Sequence, residues 1–191
     1  MADEIPSQIS EAGLDDWYSG LTSQDRVRTR RYLDGIDTSS GVALLSDLIV
    51  RAVEDHNYKL AVTAGSFLDG MELSDYDRFK TTELYIEGLF GADEYETAKA
   101  MCCRNLDLYP IVSGRIVEEN GGVPQKLSCR NRLIDILVGV EGDYDGAYEV
   151  LDRYAEMGLI DEAERDLRKQ SLKIHRMQRS FDNIFNLKKS R

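Results

Sequence analysis

Residues 84–110 read LYIEGLFGADEYETAKAMCCRNLDLYP, and this stretch contains the pattern on which the predicted fold depends. Its apolar residues recur at steps of three and four, and the pattern is interrupted at Gly91 and again at Pro110. Such steps place side chains on one face of a helix, and glycine and proline commonly mark helix ends. The stretch therefore predicts one helix that ends at Gly91 and a second from about Glu94 to Leu108, closed by Tyr109-Pro110.

The same periodicity recurs along the chain, whereas sustained alternation of polar and apolar residues is nearly absent. We therefore predict an all-α fold whose short connections favour antiparallel neighbours. A helix should begin after Ser23 and end near Asp34-Gly35, and Ser74-Asp75 should cap another. Gly158 should adopt the left-handed conformation of a cap residue. Further helices are predicted at residues 42–55, 58–68, 125–138, 144–157 and 160–187, and the clearest break is Asn-Gly-Gly-Val-Pro at 120–124.

A tyrosine followed three residues later by an alanine occurs three times, each time after one or two acidic residues. A tyrosine in the first turn of a helix can lie against the preceding helix, and an alanine one turn later allows two helix backbones to approach closely. The pattern therefore predicts three packed helix pairs. Its members are Tyr58 and Ala61, Tyr95 and Ala98, and Tyr144 and Ala147.

On these residues the chain resembles the tetratricopeptide repeat family, in which units of about 34 residues stack helix hairpins into a solenoid. Residues 84–110 match best, because Tyr95 and Ala98 fall at the aromatic and small positions that follow the turn, and Pro110 closes a family-like exit. Residues 142–147 are similar to the turn and second-helix start of another unit. The resemblance implies antiparallel hairpins stacked as a right-handed solenoid, with a peptide groove lined by the first helix of each pair.

Two departures keep an irregular helical bundle open as the alternative fold. Ile86 and Asp135 stand where the family has a small residue, and the Tyr-x-x-Ala pairs recur at the unequal intervals of 37 and 49 residues.

Charge is distributed unevenly over the 191 residues, whose formal net charge is −11. Residues 165–191 carry nine Lys or Arg against Asp166 and Asp182, a net charge of +7, so residues 1–164 carry −18. We divide the chain into an N-terminal helical segment (1–40), a repeat body (41–164) and a basic C-terminal helix (165–191). The acidic body favours a basic or amphipathic partner, which it would attract faster at low salt.

The basic C-terminal helix is amphipathic, with an apolar stripe at Leu167, Ile174, Met177, Phe181, Ile184 and Phe185. We expect this stripe to cap the last helix pair, as the end of a repeat array requires. Docking on another chain, including a second copy in a homodimer, and binding to an anionic surface are the alternatives. The residues that could contact a partner are Arg26, Arg30, Arg168, Lys169, Arg176 and Arg179.

Side chains suited to catalysis are scarce. His56 and His175 lie in different segments, and Cys102 and Cys103 are adjacent, so on a helix they point about 100° apart and cannot share a metal ion without distortion. No CxxC pair, helical Glu-x-x-His motif or phosphate-binding loop is present. We predict no catalytic residue, no metal site and no cofactor.

The cellular setting is predicted from the termini and the cysteines. The chain begins Met-Ala-Asp-Glu, without the basic start and apolar run of a secretory signal, and its apolar runs are far shorter than the ~20 residues of a membrane span. Three cysteines favour reduced thiols over a disulfide framework. We expect a cytoplasmic chain with no membrane span.

These observations together predict a non-catalytic adaptor or scaffold that binds another protein. The alternative is a nucleic-acid-associated helical protein that uses the basic segments 26–31 and 165–191, although the charge of the acidic body opposes binding to phosphates.

Overall fold

The computed structural model describes the backbone of residues 4–189 and the side chains of residues 4–181, and every regular element in it is helical. The expected all-α class is therefore confirmed. A π-helical turn spans Ile136–Glu141. The α-helices are α1 (Ser7–Glu11), α2 (Asp15–Gly20), α3 (Ser23–Tyr32), α4 (Gly41–Glu54), α5 (Tyr58–Asp69), α6 (Asp75–Gly91), α7 (Tyr95–Asn120), α8 (Ser128–Asp135), α9 (Tyr144–Glu156) and α10 (Glu162–Lys189).

Several helices begin at a hydroxyl side chain that accepts a hydrogen bond from the first turn. Ser74 caps α6 as predicted, since its Oγ accepts from the Asp77 amide at 3.2 Å. The predicted start of α3 is wrong by one residue, because Thr22 is the cap and Ser23 is the first helical residue. Helix α3 also ends at Tyr32, before Gly35, whose φ of +70° belongs to the loop that follows.

One turn geometry joins the two helices of the hairpins α4–α5 and α6–α7. His56 and Asp93 have left-handed φ values of 56° and 61°, and each lies two residues before the tyrosine that starts the next helix. The Asn57 amide donates to the Ala52 carbonyl at 2.7 Å, and the Glu94 amide donates to the Leu89 carbonyl at 2.9 Å. These are the bonds of a Schellman cap, which reverses the chain directly after a helix.

Glycine caps produce the same reversal later in the chain. Gly158 has a φ of 71° after α9, as predicted, and the Leu159 amide donates to the Tyr154 carbonyl at 2.9 Å. Gly142 takes the equivalent place between the π-helical turn and α9, with a φ of 69°. Gly142 lies two positions before the start of α9, and Gly158 lies four positions before the start of α10. Each glycine therefore reverses the chain between successive helices.

Small residues allow α5 and α6 to approach closely. A Cβ atom added at Gly88 would lie 3.1 Å from the Ala61 Cβ, and one added at Gly65 would lie 2.3 Å from the Tyr85 ring. Tyr58 lies directly on Gly91, where an added Cβ would be 2.2 Å from the Tyr58 ring. Tyr58 and Ala61 thus pack against the following helix as well, and Ala61 shares the first core with buried residues of the preceding helix α4.

Helix α7 does not end at Pro110, so this predicted boundary is wrong. Proline lacks an amide and clashes with the carbonyl four residues earlier, at a cost of about 3 kcal/mol inside a helix. Pro110 itself is exposed, whereas Tyr109, Val112 and Ile116 continue the buried face of α7 for two more turns. Burying three such side chains stabilises by about 1.5–3 kcal/mol each, which offsets the cost of the proline. The helix ends instead at Gly121, in the predicted break, with a φ of 68°.

The hydrophobic interior has two large parts and a smaller cluster between them. The first contains buried residues of α1 to α5, so residues 4–40 share their core with the first hairpin, and the second contains those of α6 to α9. Residues of α6, α7 and the π-helical turn form the smaller cluster. Each helix from α4 to α8 contacts the next along the chain, and the first helices of successive pairs also touch, α4 on α6 and α6 on α8.

Candidate functional site

Four large apolar side chains lie exposed along one line of α10. Their exposed fractions are 64% for Leu167, 46% for Ile174, 49% for Met177 and 59% for Phe181. They follow one another at steps of seven, three and four residues, which keeps side chains on one side of a helix. We call these four residues the α10 stripe. The remaining exposed large apolar residues among residues 4–181 are scattered over other segments.

The opposite side of α10 holds the helix on the rest of the chain through polar contacts. Lys169 Nζ lies 2.5 Å from the Asp152 carboxylate, and Arg176 Nη1 lies 2.8 Å from that of Asp145, both on α9. Arg179 Nη1 donates to the Val138 carbonyl at 3.0 Å. The Arg176 guanidinium has a raised pKa because of its hydrogen bond to Asp145.

Two further contacts complete this polar side. The Tyr144 hydroxyl lies 2.8 Å from His175 Nδ1, and Arg168 pairs within α10 with Glu164 at 2.6 Å. Leu172 is the one side chain of the described part of α10 that packs on the second core. Residues 169, 172, 176 and 179 are separated by three or four positions, and Ile174 follows Leu172 by two, which is about 200° around the helix. The basic side of α10 therefore faces the chain and the α10 stripe faces away.

The expectation that the apolar stripe caps the last helix pair is wrong for these four residues. The acidic side chains of α9 attract the basic side of α10, and the helix is turned so that its apolar side remains uncovered. Ile184 and Phe185, which the sequence pattern places in the same stripe, lie outside the residues whose side chains are described.

The basic cluster of α3 also contacts its own chain. Arg26 Nε donates to the Leu21 carbonyl at 3.1 Å, and Arg30 donates to the Glu4 carbonyl. Arg28 Nη1 donates to the Asn57 side chain at 3.1 Å, across to the turn between α4 and α5. These contacts fasten α3 to its neighbours. A role of Arg26, Arg30 and the basic residues of α10 in binding a partner stays a prediction.

The Tyr-x-x-Ala residues occupy equivalent places in three helices. Each tyrosine is the first residue of its helix, α5, α7 or α9, and each alanine is fully buried. Tyr95 packs edge-on against Phe90 of the preceding helix, with ring centroids 5.5 Å apart, as the pattern predicts. Tyr144 instead contacts His175 of the following helix. The left-handed conformation of His56 and Asp93 was not predicted, because only a few per cent of non-glycine residues adopt it, even though Asp and His adopt it more often than most.

A cavity of about 670 Å³ lies between α4, α6 and residues 116–127, along the first helices of the first two pairs. Its lining mixes both charges with an aromatic side chain. Tyr76 donates to Glu119, and the Arg115 guanidinium lies 3.7 Å from the centroid of the Tyr76 ring. Lys80 and Lys126 add positive charge to the same wall.

A buried polar cluster joins α6, α7 and α8. The Glu83 carboxylate accepts hydrogen bonds from the Ser128 amide, the Cys129 amide at 3.1 Å and Asn105 Nδ2 at 2.8 Å. Helix α8 has no side-chain cap of its own at Leu127, so Glu83 caps it from another helix. Burial raises the pKa of Glu83, and it raises the pKa of the nearby Cys102 and Cys129 thiols too. These thiols are protonated and serve as small apolar side chains.

Two other classes of site are not found in the described part of the chain. No group of three or more His, Cys, Asp or Glu side chains is arranged there to hold a metal ion. No described helix combines the length and apolar character that crossing a bilayer requires. No known family, curated protein or solved structure matches this chain.

Proposed function

We propose that this chain is a non-catalytic protein-interaction module, an adaptor or scaffold, whose partner binds the α10 stripe. The observation that carries the proposal is the orientation of α10, which leaves four large apolar side chains in line on its outer side. Single exposed apolar residues are ordinary on a protein surface, whereas several in line on one side of a helix are typical of a binding surface. Ion pairs to α9 hold the helix, so the stripe is ordered before a partner arrives.

The proposal includes a tetratricopeptide-like arrangement of the three helix pairs as a right-handed solenoid. Three observations support it: the shared turns, the tyrosine that begins each second helix, and the contacts of α4 with α6 and of α6 with α8. In such an array the first helices line a groove, and the cavity between α4, α6 and residues 116–127 lies on that side. An adaptor needs two surfaces, and this groove would be the second.

The net charge of the acidic body favours a basic or amphipathic segment of another protein as the partner. Residues 1–164 carry a net charge of −18, and a field of this size raises the association rate of a cationic partner at low salt. The three unpaired thiols of the described chain suit a cytoplasmic setting, in which we propose that the chain acts.

The contacts favour a protein partner over a nucleic acid. A nucleic-acid surface presents its cations to the phosphates, whereas Lys169, Arg176 and Arg179 are directed toward α9 and the π-helical turn of this chain. Arg26 and Arg30 likewise donate to carbonyls of their own chain. Purified chain should accordingly carry no absorbance at 260 nm above that of its aromatic residues.

Site-specific photocrosslinking in living cells tests the proposed function. A benzophenone amino acid at Ile174 should yield one or a few discrete crosslinked species, because the stripe is in contact with a partner. The matched control is the same amino acid at Ile111, an exposed apolar position of α7 that is 67% exposed. Equal and diffuse labelling at both positions, or none at either, would overturn the proposed function.

A further inference from the structure

We propose that the occupant of the α10 stripe is the α10 stripe of a second copy of this chain. This inference rests on the proposed function and names the partner of the same surface. The steps of seven, three and four between Leu167, Ile174, Met177 and Phe181 follow the a and d positions of a heptad over two repeats. Gln170 occupies the remaining d position, and the stripe spans about 21 Å of helix.

The narrowness of the stripe favours a helix as the occupant. A helix that inserts into a groove or packs on a core carries apolar residues at three or four of every seven positions, whereas a two-helix seam uses two. On α10 the residues beside the stripe are polar or charged: Asp166, Ser171, Lys173, Gln178 and Ser180. Such a seam fits another helix that has the same narrow seam.

Charge does not prevent two copies from meeting along this line. Asp166 and Lys173 are the two charged residues among the five that flank the stripe, and their charges are opposite, so the seam carries no set of like charges to repel its copy. The acidic body lies behind α10, on the side that holds Asp145 and Asp152. Two paired helices, with axes about 10 Å apart, therefore separate the acidic bodies by more than the ~8 Å over which charges act at physiological salt.

An anionic membrane is a poorer occupant for the same reason. Lys169 and Arg176 are paired with carboxylates of α9, and Arg179 donates to a carbonyl. These cations are engaged by groups of the same chain, whereas an interfacial helix presents its basic residues to the lipid headgroups beside its apolar side. Binding to vesicles is therefore an outcome that the experiment must detect.

Light scattering on the full-length chain over a wide range of concentrations tests the inference. We expect a dimer, with twice the 21.7 kDa mass of one chain. The double variant Ile174→Glu, Met177→Glu should dissociate at least about 100-fold more readily, because it places four carboxylates in one seam. The control Ile111→Glu adds the same charge to an exposed apolar position of α7 and should remain dimeric.

A gain of affinity provides a second readout that misfolding cannot mimic. Gln170→Leu fills the polar position of the seam and should tighten the dimer about tenfold or more. High salt should preserve or tighten the association, because the seam is apolar. Dissociation of the dimer at high salt would contradict pairing of the two α10 stripes. It would instead favour docking of the basic residues of one copy on the acidic body of the other.

The outcomes separate this inference from the proposed function. A monomeric full-length chain that crosslinks to a different protein from Ile174 overturns the second copy as occupant and leaves the proposed function in place. A monomer that binds phosphatidylserine vesicles through the same residues also overturns it. If the double variant remains dimeric, the dimer does not form through the α10 stripe, and the inference is wrong. A monomeric chain that yields no crosslinked species overturns both proposals.

Discussion

Two helix interfaces of this chain are built in opposite ways. Between α5 and α6, Gly65, Gly88 and Gly91 face the side chains of Tyr85, Ala61 and Tyr58, so shape decides how the helices fit. Between α9 and α10, Asp145 and Asp152 bind Arg176 and Lys169, so charge decides which side of α10 faces inward. The first interface covers apolar surface, whereas the second leaves apolar surface outside. An interface made by charge can thus present a binding surface that an interface made by apolar packing would hide.

Substitution of a close-packed glycine should have the largest effect. We expect Gly65→Ala to lower the free energy of unfolding by about 3 kcal/mol, because its Cβ would lie 2.3 Å from the Tyr85 ring and 3.0 Å from the Tyr85 Cβ. Urea denaturation followed by circular dichroism measures the change.

Gly114→Ala is the matched control for this substitution. Nothing lies within 4 Å of a Cβ added at this exposed helical position of α7, so alanine should stabilise by about 0.5–1 kcal/mol. Equal effects of the two substitutions would contradict a close-packed α5–α6 interface.

Removal of the carboxylate that caps α8 should have the next largest effect. Glu83→Ala leaves the Ser128 and Cys129 amides and the Asn105 side chain without their acceptor, and we expect a loss of about 2 kcal/mol in the free energy of unfolding. The exposed Glu118 on α7 provides the control, since Glu118→Ala should change it by less than about 0.5 kcal/mol. A Glu83 variant as stable as the Glu118 variant would show that α8 needs no cap from α6.

The ion pairs of α10 should contribute less to global stability. Asp145→Asn with Asp152→Asn should lower the free energy of unfolding only slightly, because both ion pairs are solvated. Hydrogen exchange should nevertheless accelerate in α10, since the helix loses two of the contacts that hold it on α9.

Asp107→Asn tests whether this effect is specific to α10. Asp107 pairs with Arg153 between α7 and α9, at 2.5 Å, so its loss should leave exchange in α10 unchanged. Unaltered exchange in the double Asp variant would indicate that the remaining contacts, those of Leu172, His175 and Arg179, are sufficient to hold α10 in place.

The smallest expected effect is a difference in the pH dependence of stability. The pKa of Glu83 is raised in the folded chain by burial, so the folded state binds the proton more tightly than the unfolded state does. The contribution of Glu83 to the free energy of unfolding should therefore rise as the pH falls from neutrality toward the ordinary value of 4.5.

Comparison with Glu83→Gln isolates this contribution, because all other titrating groups are common to the two chains. The stability of the parent relative to the glutamine variant should increase with falling pH in denaturant titrations. A relative stability that decreases instead would mean that the hydrogen bonds to the carboxylate outweigh its burial.

Helix positions were largely predictable, because the periodicity of apolar residues and the caps are local features. Ser74, Gly158 and the break at 120–124 each act within a few residues of their own position. The predicted end of α7 at Pro110 was wrong for the same reason, because it considered only the local effect of proline. The helix continues because Tyr109, Val112 and Ile116 are buried against other helices. The capping of α8 by Glu83 could not be predicted from local sequence either, since Glu83 and Ser128 are 45 positions apart.

The outward direction of the α10 stripe had a signal in the sequence that periodicity alone does not convey. Asp145 and Asp152 are seven residues apart on α9, and Lys169 and Arg176 are seven apart on α10. In an antiparallel pair of helices, Asp145 then meets Arg176 while Asp152 meets Lys169. Matching charges at equal spacing on consecutive helices thus indicate which side of a terminal helix faces its neighbour.

Composition and spacing were sufficient for the all-helical class, the helix pairs and the amphipathic character of α10, because each depends on residues within a few turns of one another. Tertiary structure decided which side of each helix is covered. An amphipathic helix can turn either its apolar or its charged side toward a neighbour, and the choice depends on the surface that the neighbour offers. For α10 that surface is the acidic side of α9, and the apolar residues consequently face outward, where a partner can bind them.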